Sequence, residues 1–302
     1  MRMDKSKDLP GRPRVSVIIP TYNRAWALKE AVESVLAQEY DNFELIVVDD
    51  GSDQPLESAA LCAATGLPAD RLILLRHATP QGPGPARNAA LAQVTTSHLL
   101  YLDADDLPTR DLPALLADLA GQTFDFCIFR HHDTRSEAEH RWGPAPQDRD
   151  LWQAAGTDLG ALSPVGPKAV ALLMRTANYP WNKIYRTGFL RANAIACSDI
   201  PVHEDIELHW RSFLCAGTIL ASDRIAVIHF VNDTGDRLTN VRGPERLRVF
   251  ATLTRIADEI AARGADPLPF DLFALGLLGW IHGQLRPDLH AAFADQARDW
   301  LD

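Results

Sequence analysis

Tyr101-Leu102-Asp103-Ala104-Asp105-Asp106 places three carboxylates directly behind an apolar run. Like charges this close repel unless a cation or a partner compensates them. Alternate residues of a strand face the same way, so a strand continued through the motif sets Asp103 and Asp105 on one side. Hard oxygen ligands of this kind suit Mg2+ or Mn2+, and Mg2+ is typically held by one or two carboxylates together with substrate phosphates. A solvated acidic turn accounts for the same residues without any chemistry. A second acidic cluster, Asp49-Asp50-Gly51-Ser52-Asp53, closes the apolar run 44–48. A carboxylate at a strand end can accept hydrogen bonds from a ribose or a base. It can equally form an Asx turn that caps the next helix. An EF-hand is excluded, because Ala60 stands where the final Glu of such a loop would be.

Two further constellations stand out. In Gly82-Pro83-Gly84-Pro85-Ala86-Arg87-Asn88 the spacing is superficially that of a dinucleotide loop. However, Arg87 replaces the third glycine and the prolines remove backbone donors, so the loop is a poor phosphate cradle. Arg87 and Asn88, at the start of a helix pattern, can still touch a nucleotide. His203-Glu204-Asp205 enters another helix pattern and offers a general base, provided it lies within reach of the proton it removes. Complementarity to the helix dipole explains the same acids structurally. His229, at the end of an apolar run, and His131-His132-Asp133 read as a packed histidine and a polar loop. The Gly-x-Ser-x-Gly, Walker and His-Glu-x-x-His motifs are absent from the sequence.

These residues need a scaffold, and the hydrophobic periodicity supplies one. Apolar, β-branched runs predict strands at 15–19, 44–48, 71–75, 98–102, 126–129 and 225–231. Helical spacing predicts helices at 24–38, with Asn23 as N-cap, and at 55–64, 87–94, 111–120 and 206–216. Three more helices are predicted at 245–263, 272–282 and 287–301. Order is also regained over 181–190, whereas 130–166, charged and rich in Pro and Gly, reads as mobile loops. Strands alternating with helices argue for βαβ units and a mostly parallel sheet, in which ligands sit beyond the C-terminal strand ends. Both acidic clusters fall at such ends.

The 302 residues comprise 46% hydrophobic and 23% charged positions, ordinary values for a globular chain. With 30 Lys and Arg against 40 Asp and Glu, the net charge is −10, which argues against a nucleic-acid partner. Cys62, Cys127, Cys197 and Cys215 are too scattered for a metal or redox pair and read as reduced core residues, as in the cytoplasm. The N-terminus has no apolar stretch behind its charges, so no secretory signal is expected. The apolar stretch 268–282 contains Asp271 and is too short to span a bilayer easily.

Six segments in this order resemble family 2 of the inverting, nucleotide-sugar-dependent glycosyltransferases. They are Val15-Ser16-Val17-Ile18-Ile19-Pro20-Thr21-Tyr22-Asn23, residues 44–52, Ala86-Arg87-Asn88-Ala89-Ala90-Leu91, residues 102–106, Trp181-Asn182-Lys183-Ile184-Tyr185-Arg186 and His203-Glu204-Asp205. The match is dense from 15 to about 107 and looser from 180 to 239. The resemblance implies a GT-A α/β fold, Rossmann-like, with a mostly parallel sheet flanked by helices and a C-terminal helical appendage. It divides the chain into a flexible tail 1–14, a transferase domain 15–235 (nucleotide half 15–107, acceptor half 108–235) and a helical region 236–302.

The resemblance also implies roles. Pro20, Thr21, Tyr22 and Asn23 would line the nucleobase pocket, Asp50 would bond the base, and Arg87 would contact the base or its surroundings. Asp103 would reach the ribose, while Asp105 would hold Mn2+ or Mg2+ on the diphosphate, with Asp103, Asp106 and His229 as further candidate metal contacts. Asp205 would be the base, with Glu204 its neighbour. Beyond Asp205 the family often carries a basic or aromatic element, for which the nearest equivalents are His229, Phe230 and Arg237 before Leu238-Thr239. The implied partners are a nucleotide-sugar donor and a saccharide or lipid-linked saccharide acceptor, in polysaccharide or glycoconjugate synthesis. A cytoplasmic location follows, with room for peripheral membrane contact and a homodimer. A haloacid-dehalogenase-like phosphatase also places Asp-x-Asp at a strand end, but there Leu107 would be a small residue. A non-catalytic nucleotide- or glycan-binding module is the remaining alternative.

Overall fold

The computed structural model describes residues 13–157, 162–231 and 240–301. In the first half, β1 (Val15–Thr21), β2 (Phe43–Asp49), β3 (Leu72–Arg76) and β4 (His98–Tyr101) alternate with α1 (Ala25–Leu36), α2 (Ser58–Thr65) and α3 (Pro83–Gln93). The four strands are parallel, in the order β3-β2-β1-β4. β1 runs on through Pro20 at no cost to the ladder. Ile18 O accepts from Leu102 N on the β4 side, so the missing Pro20 N–H points to the same side, where pairing has already ended.

The second half contributes β5 (Leu107–Pro108), α4 (Asp111–Asp118), β6 (Phe126–Asp133), α5 (Pro146–Ala155), β7 (Ser163–Pro164), α6 (Pro167–Leu173), β8 (Lys183–Arg186), α7 (Thr187–Ala192), α8 (Asp205–Cys215) and β9 (Ile219–His229). Among the described residues one sheet of nine strands results, in the order β3-β2-β1-β4-β8-β6-β9-β5, with β7 on β9. The first half is wholly parallel and the second half is mixed. β8 runs antiparallel to both β4 and β6, while β6 and β9 are parallel to each other. This reversal brings the start of β8 to the same rim as the C-terminal ends of β1, β2, β4, β6 and β9.

Alternation of side chains divides the core between the two faces of the sheet. Val17, Ile19, Leu45 and Val47 pack with Leu28, Val32 and Val35 of α1 and with Leu115 of α4. Ile18, Ile46 and Val48 pack on the other face with Ala86 and Ala90 of α3. Each such aliphatic side chain, fully buried, contributes about 1.5–3 kcal/mol. The latter cluster continues into α9 (Val249–Arg263), α10 (Leu268–Gln284) and α11 (His290–Leu301) through Leu253, Ile256, Leu278, Ile281 and Phe293. No helix among the described residues is long and apolar enough to cross a membrane.

Several expectations need correction. Residues 130–166 are not loops throughout. β6 extends to Asp133 because it pairs with β9 along its whole length, across register shifts at Phe129/Arg130 and Arg130/His131 that disguise its alternation. α5 buries Asp148, Leu151 and Trp152, one face of a helix. α3 begins at Pro83, not at 87, since a proline in the first turn sacrifices no intrahelical donor. β9 begins at Ile219. Asn23 does not cap α1. It sits in the left-handed region at φ 52° and instead exchanges two hydrogen bonds with Asp53. Of the expected tail, residues 1–12 lie outside the described residues, as do Arg237, Leu238-Thr239 and the boundary at 235.

Candidate active site

The mouth of β1 is built by three neighbouring turns. Thr21 is buried and its Oγ1 has no hydrogen-bond partner, while Tyr22 beside it is exposed. Asn23 N donates to Ser52 Oγ at 2.9 Å, joining this turn to the end of β2. The two acids there divide their labour. Asp49, fully buried, accepts from Ser52 N at 2.9 Å and Leu56 N at 3.1 Å and pairs with Arg76. Burial opposes its ionisation, but these hydrogen bonds outweigh it and hold the carboxyl below the usual carboxylate range. Asp50 accepts from Gly82 N at 2.7 Å and Gln81 N at 3.1 Å, and lies 2.6 Å from His77 Nδ1. It therefore organises the loop that launches α3. Gly51 between Ser52 and Asp50 must be glycine: its φ is +78° and a Cβ would lie 2.7 Å from Pro80 N.

The acidic motif is a turn, not a strand. β4 ends at Tyr101 and Asp106 N donates to Asp103 O at 3.1 Å. The premise of a strand continued through Asp103 and Asp105 therefore fails, and the two acids take different partners. Asp103 Oδ1 accepts from Arg87 Nη2 of α3 at 2.6 Å, and Asp105 Oδ2 accepts from Arg24 Nη1 before α1 at 2.7 Å. Asp106 is buried, and its Oδ1 accepts from Phe230 N at 3.0 Å. It anchors the end of β9 to the turn and is not exposed at the rim.

Arg87 is the hub of the site. It lies inside α3, 3% exposed, and its Nη1 donates to Glu204 Oε1 at 2.7 Å while Nη2 holds Asp103. Burial disfavours its charge, but Asp103 and Glu204 more than restore it. The acidic turn and the start of α8 are thus tied through one guanidinium. Asp205 opens α8 beside Glu204. Burial and then the Glu204 charge push its carboxyl up, partly offset by Arg87 and by Lys183. Lys183, fully buried, donates to Tyr179 O at 2.9 Å and to Asn182 Oδ1 at 2.5 Å. Burial lowers it to about 7 against the fields of Asp205 and Asp148.

Sequence reasoning gave no role to Arg24, His77 or Lys183, and did not join His131, Asp133 and His229 with Tyr179 and Trp181 into one cluster at the β6–β9 ends. Tyr179 and Trp181 stack with centroids 4.5 Å apart, and His131 and His229 pack against them. Burial brings His131 down to about 3, and both its ring nitrogens are buried without a partner. Asp133 pairs with Arg135 at 2.6 Å and lies 3.3 Å from His229 Nδ1. Burial opposes its charge, yet these partners hold its carboxyl far below the usual range. The alternation of His131 and Asp133 was a strand signal, hidden by the bulge just before it.

Among the described residues no three His, Cys, Asp or Glu side chains are grouped as a ready-made metal cage. The donor set still suits a hard cation that is shared with phosphates. Asp105 offers carboxylate oxygen, and its charge is balanced here by Arg24, a cation on the same oxygen.

The sequence model of the family described as "Glycosyl transferase family 2" matches residues 16–170. An uncharacterized glycosyltransferase of Rickettsia felis is 42% identical over 100 residues, 32% of this chain and 16% of the relative. The chain matches only 13–17% of the length of the first three Rickettsia relatives. Among solved structures, S. aureus TarS 1–349 in complex with UDP-GlcNAc is 21% identical and superposes with a TM-score of 0.73, covering 95% of this chain and 80% of that one. The mannosyltransferase PcManGT from Pyrobaculum calidifontis, in complex with GDP-Man and Mn2+, is 20% identical with a TM-score of 0.56 over 96% and 81% of the two chains. Both structures share the GT-A-like fold described above. With the match extending over half of its length, this chain belongs to glycosyl transferase family 2.

Proposed function

We propose that the chain transfers a sugar from a nucleoside-diphosphate sugar to an acceptor hydroxyl, inverting the anomeric centre. One observation supports this reading: Arg87 joins Asp103 to Glu204, so the acidic turn of the first half and the carboxylates opening α8 are held in one ion-pair network. The orphaned Thr21 hydroxyl and the Asp50-ordered loop border the same rim. TarS and PcManGT, which share the fold, are seen with UDP-GlcNAc and GDP-Man.

In this reading residues 15–107 form the nucleotide half and 108–235 the acceptor half, with 236–302 as a supporting helical region. Pro20, Thr21, Tyr22, Asn23 and Asp50 surround the nucleobase, Asp103 takes the ribose, and Arg87 acts from behind as the clamp that fixes Asp103. Asp105 and His229 hold Mn2+ or Mg2+, and Asp106 keeps the turn carrying Asp105 against β9. A bound divalent cation supplies Lewis-acid neutralisation of the diphosphate leaving group. Asp205 removes the acceptor proton as its oxygen attacks from the face opposite the diphosphate. Glu204, pinned by Arg87, fixes the entry of α8 and so the position of Asp205. Holding donor and acceptor in line supplies much of the rate without an enzyme nucleophile.

The test is a panel of UDP- and GDP-sugars scanned by thermal shift with Mn2+ and then with EDTA. A ligand at a hundred times its Kd raises stability by about 2.7 kcal/mol. Productive donors are then incubated with hydroxyl acceptors, and the anomeric configuration of the product is read by NMR. Stabilisation by nucleotide sugar that EDTA reverses, with an inverted product, is expected. A panel without any stabilising nucleotide, or a product with retained configuration, overturns the reading.

A further inference from the structure

β6 and β9 run parallel, and their register sets Asp133 directly beside His229 at the strand ends. Asp133 is fully buried, and Arg135 grips both of its carboxylate oxygens. Nε and the backbone N of Arg135 donate to Oδ1 at 2.9 Å, and Nη2 donates to Oδ2 at 2.6 Å. A carboxylate held this way only accepts hydrogen bonds, so in the neutral His229 ring the proton sits on Nδ1, 3.3 Å from Asp133 Oδ2. The Nε2 lone pair is thereby left for another partner. The ring is held further by Tyr179 and Trp181, whose centroids lie 4.7 and 5.1 Å away. The next residue, Phe230, donates its N–H to Asp106 at 3.0 Å, which fastens the end of β9 to the acidic turn containing Asp105. Histidines that ligate metals commonly donate their other ring N–H to a carboxylate, which fixes both tautomer and orientation.

We propose that Asp133, itself held by Arg135, is a positioning residue that fixes the tautomer and orientation of His229 so that Nε2 serves the divalent cation of the donor diphosphate. The inference rests on the reading of His229 as a cation ligand and goes beyond it in assigning Asp133 and Arg135.

The full chain is tested in two ways. First, the 15N shifts of ring-labelled histidine, with the His229 signals assigned by their loss in His229→Gln, report the tautomer of the metal-free wild type. The Nδ1–H form is expected, and a predominant Nε2–H form overturns the proposal without requiring any other variant to fold. Second, Mn2+ is titrated into the chain saturated with UDP or with GDP, and free Mn2+ is followed by EPR. Asp133→Asn is expected to weaken Mn2+ binding about 10–100-fold, the usual cost of losing such a support, with nucleotide affinity in EDTA unchanged. His229→Gln should cause a similar loss, and the double variant little more. If His229→Gln leaves Mn2+ affinity intact, the cation reading of His229 fails and the proposal with it. If His229→Gln weakens Mn2+ binding but folded Asp133→Asn stays within twofold of wild type, the role of Asp133 is overturned while the reading of His229 stands.

Discussion

At the scale of single residues the site is a set of carboxylates whose charges are balanced in different ways. Asp103 and Glu204 share Arg87, Asp105 has Arg24, Asp50 has backbone donors and His77, and Asp205 is favoured in its charged form by Arg87, Lys183 and a backbone hydrogen bond. A carboxyl raised by burial is the better proton acceptor, as a base needs. In the proposed role Asp205 acts ionised, and because its folded pKa lies above the usual value of about 3.9, activity should fall with decreasing pH well before an ordinary aspartate titrates. The pH profile of kcat/KM checks this. Asp205→Asn should lower kcat by about 10²–10⁴ while leaving nucleotide affinity, measured by calorimetry, nearly unchanged. Arg87, expected to contact the base or its surroundings, is buried with Nη1 and Nη2 bonded to Glu204 and Asp103. Arg87→Met leaves both without their cation and should cost about 3–5 kcal/mol in urea denaturation. Adding Glu204→Gln should recover part of that loss; a single-variant cost below about 1 kcal/mol would contradict the clamp.

At the scale of elements, the proposed site depends on how closely α3 approaches the segment before α8. Gly84, in the first turn of α3, makes that approach: a Cβ there would lie 2.3 Å from Ser198 O and 3.0 Å from Glu204 Cβ. Gly84→Ala must push the 198–204 segment away. We expect a stability loss of about 1–3 kcal/mol and a larger relative fall in kcat, up to about 100-fold, as Glu204 and Asp205 shift. Parallel denaturation and rate measurements separate the two effects, and unchanged kcat would show the contact to be idle. The helical and strand periods were legible wherever an element buries one face or both: α1 buries Ala27, Leu28, Ala31, Val32 and Val35, the stripe its sequence displays. They were illegible where pairing overrides local pattern, as in β6, whose alternation breaks at two register shifts.

At the scale of the molecule, the C-terminal helices are part of the same core as the sheet, since Ile18, Trp210, Leu253 and Ile281 lie in one continuous cluster. α10 is apolar on every side, yet it buries Phe270, Ala274, Leu278 and Ile281 and exposes Leu268, Leu272 and Leu275. Ile281→Ala should therefore cost about 2–5 kcal/mol in a single cooperative transition, whereas Leu275→Ser should stay within about 0.5 kcal/mol. A separate early transition in Ile281→Ala would mean that these helices fold on their own. The sequence by itself determined the alternation of strands and helices, the placing of acids at strand ends and the family, because hydrophobic period and short motifs are local properties. Only the tertiary structure decided that Asp106 faces inward, that Arg87 is a clamp and that Asp133 meets His229. Those outcomes depend on the order of strands in the sheet and the register between β6 and β9, where residues 96 positions apart become neighbours.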